Sequence, residues 1–396
     1  MKFMKKKLKN GMTVVFEKRD LPVVSFSITN RFGAAYEESK IKGIAHVMEH
    51  LLFTGTKTRT HEDISREIEK KGGILNAFTS HEVTSFWFKL PSEHLFAGMD
   101  IIVDMLKNPK FDKEKFEKEK KVILEEIKMY HDDPRSSVTE QIETNLFEKP
   151  FGDLVIGSKE TVSGLDRDFV ADYFKKVYSP ENYIVTLVGD ADFEKVCAYL
   201  EKNFDAGGKK PKVMRIKKKN KETLEERPGI DQAHFVFAIH APLMGTKEYT
   251  ILEVLDAYLA SGMSSRLFLK IREEKGLAYT VRSSINSERS YSIYSIYVGT
   301  TKEAVPEVKK IILDEFEKIK DMTEKDLEES KERLIGLRKV SSEESSNVMN
   351  ELMFNELVTK AEDYYKHEEE IKKVKLSDVK KLAKITEFST AAIVPK

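Results

Sequence analysis

The chain has 396 residues, 40% of them hydrophobic, which excludes a disordered chain and points to two domains or more. Lys plus Arg and Asp plus Glu number 67 each, so no net field favours nucleic acid or an anionic membrane. One cysteine, Cys197, excludes an intrachain disulfide. The 34% charged residues, mostly Lys and Glu, give a surface composition like a thermophile's.

Residues 1–10 are basic but run into no apolar stretch of signal-peptide length. No segment is apolar for long enough to span a bilayer, so a cytoplasmic location is expected. Strand-like runs follow at 13–17 and 23–29, then a helix-like run at 41–53 that stops before Gly55. Alternating runs at 74–79 and 83–90 flank a short polar turn and predict a hairpin. Amphipathic helices are predicted over 92–107 and 112–131, then a strand at 184–188 and a helix at 193–203. Residues 206–228, rich in Lys, Gly and Glu, read as a linker.

After that linker the pattern repeats. Residues 234–239 form a strand like 23–29. Thr250-Ile-Leu-Glu-Val-Leu stands where His46-Val-Met-Glu-His-Leu stands, at an offset of 204, and Glu273-Glu-Lys-Gly matches Glu69-Lys-Lys-Gly at the same offset. Both copies then enter strand pairs (276–285 and 291–299 in the second) and helices, 115–127 facing 326–337. The expectation is two copies of one α+β unit: a domain at 1–205, a linker at 206–228 and a second domain at 229–396. Thr250 and Val254 replace His46 and His50, so only the first copy can bind a metal there.

His46 and His50 are four apart on a helix and project from one face, with Glu49 beside them. Two imidazoles on adjacent turns can clip a zinc ion, and a neighbouring carboxylate can take a proton from a bound water. His-x-x-Glu-His is the inverzincin signature. The pentapeptide alone also fits two helix histidines packed or solvated without metal. In the helix predicted over 112–131 Glu119 and Glu126 fall on one face with Phe116, Ile123 and Tyr130. Carboxylates on an apolar stripe need a cation or donors, unless the stripe lies at an edge where they reach water.

The two features together resemble the pitrilysin family, which includes insulin-degrading enzyme and the mitochondrial processing peptidase. The match rests on His46-x-x-Glu49-His50 and, 76 residues on, Glu126 within Val122-Ile-Leu-Glu-Glu-Ile-Lys-Met. The resemblance implies one Zn2+ per chain, held by His46, His50 and Glu126, with Glu49 as general base. It implies that Glu119 supports a zinc-bound histidine, while Glu125 lies elsewhere on the helix. Gly72-Gly-Ile-Leu-Asn76-Ala77-Phe-Thr-Ser80 resembles the family's strand beside the zinc, so Asn76 and Ala77 are expected to meet the substrate backbone. Arg272 and Tyr279 resemble the paired arginine and tyrosine that steady substrate and oxyanion. Taken alone, they also read as a surface arginine and a packed strand tyrosine.

The fold implied is two homologous α+β domains, each a mainly antiparallel sheet packed with helices. The function implied is a zinc endopeptidase for small or unfolded peptides, working as a homodimer with shared active sites and with no nucleic-acid or membrane partner. A specific presequence-processing peptidase and a non-catalytic scaffold subunit are the alternatives; the intact motifs argue against the scaffold. Elsewhere, Cys197 is expected to be a buried small residue. His81, His94 and His131 are expected in solvated turns or helix ends, and Lys217 to Asn220 in a solvated linker. No phosphate-cradling Gly loop and no Cys-x-x-Cys pair is present.

Overall fold

A computed structural model describes residues 2–208, 211–212 and 215–396. Positions 209, 210, 213 and 214 of the expected linker lie outside the described residues. The chain opens with β1 (Lys2–Lys7), β2 (Thr13–Lys18), β3 (Val23–Asn30), α1 (Ile44–Phe53), α2 (His61–Glu69), β4 (Ile74–Thr79), β5 (Thr84–Pro91), α3 (Leu95–Lys107) and α4 (Lys113–Asp132). Next come α5 (Pro134–Leu146), α6 (Lys159–Ser163), α7 (Arg167–Val177), β6 (Tyr183–Gly189), α8 (Phe193–Asn203), β7 (Glu222–Arg227) and β8 (Ala233–His240). Then follow α9 (Lys247–Leu259), α10 (Arg266–Phe268) running into a π-helical turn at Leu269–Glu274, β9 (Ala278–Ser287) and β10 (Ser292–Thr300). The chain ends with α11 (Val305–Glu317), α12 (Glu324–Ser341), α13 (Ser345–Val358), α14 (His367–Lys373), α15 (Leu376–Leu382) and β11 (Ser389–Pro395).

The strands form two sheets, ordered β1-β2-β6-β3-β5-β4 and β7-β11-β8-β10-β9. With β1 set aside, the orders correspond strand for strand. In each, one pair is parallel (β2 with β6, β11 with β7) and the other pairs are antiparallel. The internal repeat is therefore a repeat of topology, and the fold is two α+β units with mainly antiparallel sheets.

Two compact units result, but not with the boundaries expected from the sequence. The first comprises Met1–Ile127, Asp153–Arg215 and Ser341–Tyr364; the second comprises Lys128–Gly152, Ile216–Val340 and Tyr365–Lys396. Each half of the chain gives one helix to the other unit. Asp133 caps α5, accepting from Arg135 and Ser136 N–H, with Pro134 in the first turn. The helix then buries Val138, Ile142 and Leu146 and packs on β8 and β11 of the second sheet. In the mirror arrangement α13 buries Val348, Met349, Leu352 and Met353 and packs on β3 and β6 of the first. The exchange gives central strands a second apolar face. Ile184 of β6 joins Val83, Met353 and Leu357 in a cluster apart from the main core. The expected linker also contains β7, which pairs in parallel with β11. Its Glu-Thr-Leu-Glu-Glu-Arg sequence reads as linker because it is an edge strand whose single apolar residue, Leu224, is 65% exposed.

The first core forms where α1 and α3 meet β5, with Met48, Leu52, Phe86, Phe88, Met99 and Ile102 fully buried. Burying such a side chain contributes about 1.5–3 kcal/mol. The helix expected at 41–53 begins only at Ile44, because Gly43 takes a left-handed φ of 94° after a 3-10 turn at Ser39–Ile41. His81 is buried rather than solvated, since the turn between β4 and β5 packs inward and its backbone bonds Ala34 and Ala35. Among the described residues no helix is long and apolar enough to cross a membrane.

Candidate metal and catalytic centre

The centre is built on α1, α4 and β4 of the first unit. Helix α1 turns Ile44, Ala45, Val47, Met48, Leu51 and Leu52 into the core, which leaves His46, Glu49 and His50 on the remaining face. The two rings meet edge-on with centroids 4.6 Å apart. On α4 the apolar stripe is real: Phe116 and Ile123 are fully buried, while Tyr130, one turn past Glu126, is 37% exposed. Glu119 and Glu126 lie between these residues, half-buried, and Glu125 is exposed.

One ligand atom from each of His46, His50 and Glu126 lies within 4.8 Å of the others. Glu126 Oε2 is 3.3 Å from His50 Nε2 and 3.8 Å from His46 Nε2. It is buried, yet no donor meets it with hydrogen-bond geometry. Ligand atoms around a tetrahedral zinc with bonds of 2.0–2.1 Å stand about 3.3 Å apart, so small side-chain adjustments would close the set on an ion. His50 Nδ1 faces Glu119 Oε2 at 3.4 Å, the outer carboxylate that a ligating imidazole uses to fix its tautomer.

The electrostatics fit a cation site. Burial pulls His46 below its ordinary value, and the charge on His50 adds to this. Burial also acts to lower His50, but its contacts with Glu119 and Glu126 prevail and push it up to about 9. The nearby His50 ring holds the Glu126 carboxyl below the usual range. A proton on His50 thus sits among the groups that would hold a metal, and both rings must be neutral to bind one. Two imidazoles and one carboxylate leave a fourth position open, the usual pattern of catalytic zinc.

Glu49 is oriented by β4. Thr79 Oγ1 donates to Glu49 Oε2, and burial raises the Glu49 carboxyl above its ordinary value. Thr79 was not singled out from the sequence. The signal was there in the period-two alternation, which places Thr79 on the same face of β4 as Leu75 and Ala77, the face packed against the core. Strand β4 is the edge of its sheet, so one side of its backbone is open. Asn76 is exposed there, and its Oδ1 accepts from the Ala77 N–H at 2.8 Å.

Arg272 and Tyr279 come together in the second unit. The guanidinium lies over the Tyr279 ring at 4.6 Å and the Phe268 ring at 4.9 Å. Tyr279 is 76% exposed, which rules out a packed strand tyrosine. Both line a cavity of about 470 Å³ with Ser261, Gly262, Met263 and Val281. At the second unit's counterpart of α1, Thr250 and Val254 are buried on α9, and Glu253 is held by His367 Nε2 at 2.7 Å. Among the described residues no group of three possible metal ligands forms there.

Comparison with known proteins agrees with this division. Residues 13–158 match the family described as insulinase (peptidase family M16), and residues 164–334 match the peptidase M16 inactive domain. An uncharacterized zinc protease of Bacillus subtilis is 31% identical over 355 residues, covering 88% of this chain and 87% of that protein. Another from Mycobacterium tuberculosis strain H37Rv is 31% identical over 374 residues, covering 91% and 84%. Among solved structures, a protease from Helicobacter pylori superposes with a TM-score of 0.92 at 21% identity, over 100% of this chain and 99% of that one. A chain of complex III2 from Candida albicans superposes at 0.86 and 18% identity, over 99% and 95%. Resemblance at that level concerns the fold alone. With the identity and coverage of its curated relatives, this two-domain chain belongs to peptidase family M16.

Proposed function

We propose that the chain is a zinc-dependent endopeptidase that hydrolyses small or unfolded peptides. The observation that carries this reading is the convergence of His46, His50 and Glu126 beside a half-buried Glu49. His46, His50 and Glu126 would hold one zinc ion per chain, with Glu119 steadying His50. When bound, zinc polarises the scissile carbonyl and makes water a nucleophile near neutral pH.

The chain's own residues do the rest. Glu49, aimed by Thr79, takes the proton of the attacking water and delivers it to the leaving amine. The open edge of β4 at Asn76 and Ala77 suits an extended peptide, because strand addition uses backbone groups and tolerates many sequences. Tyr279 supplies a hydroxyl for the developing oxyanion, and Arg272 fixes the tyrosine ring by stacking on it.

The zinc ligands lie in one unit and the Arg272/Tyr279 pair in the other. We propose that two chains form a two-fold homodimer in which each active site draws on both chains, in a cytoplasmic setting without nucleic-acid or membrane partners. Metal analysis of the purified protein, paired with a digest of mixed peptides, tests the reading. About one zinc per chain and cleavage across many sequences support it. Cleavage of a single presequence class would make the chain a processing peptidase, and zinc-free protein without turnover would make it a scaffold.

A further inference from the structure

We propose that Glu37 is a positioning residue for the metal-binding helix: its carboxylate caps the first turn of α1 from outside the helix and so fixes where His46 stands. This rests on the zinc reading for the role of His46.

Glu37 is completely buried. Its Oε2 accepts from Gly43 N–H at 3.0 Å and its Oε1 from Ala45 N–H at 2.7 Å. These donors belong to the N-cap and the second residue of α1, where backbone N–H groups have no partner inside the helix. Among the described residues, the helices whose N-cap side chain accepts a hydrogen bond use Ser, Thr, Asp or Glu there. Gly43 holds that place in α1 and offers no side chain. A carboxylate at the positive end of a helix is favourable, and a buried one without such partners is not.

The segment bearing Glu37 is itself tied down. Lys42, 2% exposed, donates from Nζ to Ala34 O at 2.7 Å, and Ala34 opens the 3-10 turn that leads to Glu37. Packing closes the other side. A Cβ on Gly43 would lie 2.6 Å from Ile156 O and 3.0 Å from Gly157 Cα, so the backbone at the helix start already touches that loop. The first turn of α1 is thus set by a buried carboxyl cap and by backbone contact.

His46 depends on this more than His50 does. His50 has Glu119 on its outer nitrogen. His46 Nδ1 is buried with no hydrogen-bond partner among the described residues, so no outer carboxylate orients the ring. Apart from the His50 ring and Glu126 that it meets, its placement follows the backbone, and Ala45, immediately before it, is where Glu37 holds that backbone.

The test measures metal binding in the full-length protein. In Glu37→Gln the amide group meets one backbone N–H donor to donor, while the side chain keeps its size. Zinc affinity, measured by competition with a chromophoric chelator, should fall about 10–100-fold, as for other residues that support a ligand from outside the coordination shell. The visible absorption of the cobalt-substituted protein should change as well. Val196→Ala makes a cavity on α8 in the same core and sets what lost stability alone does; it should lower the melting temperature and leave zinc affinity as it was. Glu37→Asp, which withdraws the charge by one methylene, carries the same expectation if the glutamine variant does not fold. Wild-type zinc affinity and cobalt spectrum in a destabilised Glu37 variant overturn the inference. A wild-type protein that takes up neither metal overturns the zinc reading beneath it, which is a separate outcome.

Discussion

Thr79 Oγ1 on β4 donates a hydrogen bond to Glu49 Oε2 on α1. The bond links the strand expected to hold substrate with the carboxylate expected to move the proton. It also leaves the other Glu49 oxygen for the water. Removing it should cost catalysis and spare metal and substrate binding. Thr79→Val should lower kcat roughly tenfold or more, the scale of one hydrogen bond to a charged group, with zinc content and KM little changed. Steady-state kinetics on one peptide checks this, and an unchanged kcat would remove Thr79 from the account.

Glu140 on α5 offers a pH test away from the centre. Burial, with a smaller contribution from Glu143, pushes its carboxyl up to about 7. The folded state then holds the proton more tightly than the unfolded chain does. The resulting stability is fully present below the ordinary carboxylate range near 4.5 and is lost as pH rises through about 7. Glu140→Gln removes that dependence. Melting curves should show the variant gaining on the wild type by roughly 2 °C more at pH 8 than at pH 5. An equal difference at both values would contradict the assignment.

Much of the site was legible in the sequence because helical spacing is local information. His46 and His50 stand four positions apart, and the stripe from Phe116 through Ile123 to Tyr130 places Glu119 and Glu126 without any knowledge of the fold. The repeat was legible too, since strand order follows the matching segments around Thr250 and His46. The exchange of α5 and α13 was not, because amphipathicity says that a helix has a buried face but not which sheet covers it. Strand β7 was missed because an edge strand with five polar residues in six looks like a linker. Thr79 and Glu37 act through contacts with α1 that span 30 and 8 residues at most, yet depend on how a strand and a buried loop pack on that helix.

The shared-site dimer predicts rescue on mixing. Glu49→Gln homodimers and Tyr279→Phe homodimers should each be weak, because every site in them carries a defect. If sites are shared, a mixed dimer concentrates both defects in one site and leaves the other intact. Random exchange makes about half the dimers mixed, each with one intact site of two, so activity should rise to about a quarter of the wild-type value. Mixed dimers shown to form without any gain would rule out sharing.

The central claim is that Glu49 is the base of a zinc peptidase whose metal needs only His46, His50 and Glu126. Peptide turnover by zinc-loaded Glu49→Gln tests it most directly, since the amide keeps the shape of the side chain and the Thr79 neighbour but cannot take a proton. The account predicts a variant that retains its zinc and loses about 10²–10⁴-fold in kcat, the range of general-base catalysis. A zinc-loaded Glu49→Gln protein that cleaves peptides at the wild-type rate would contradict it.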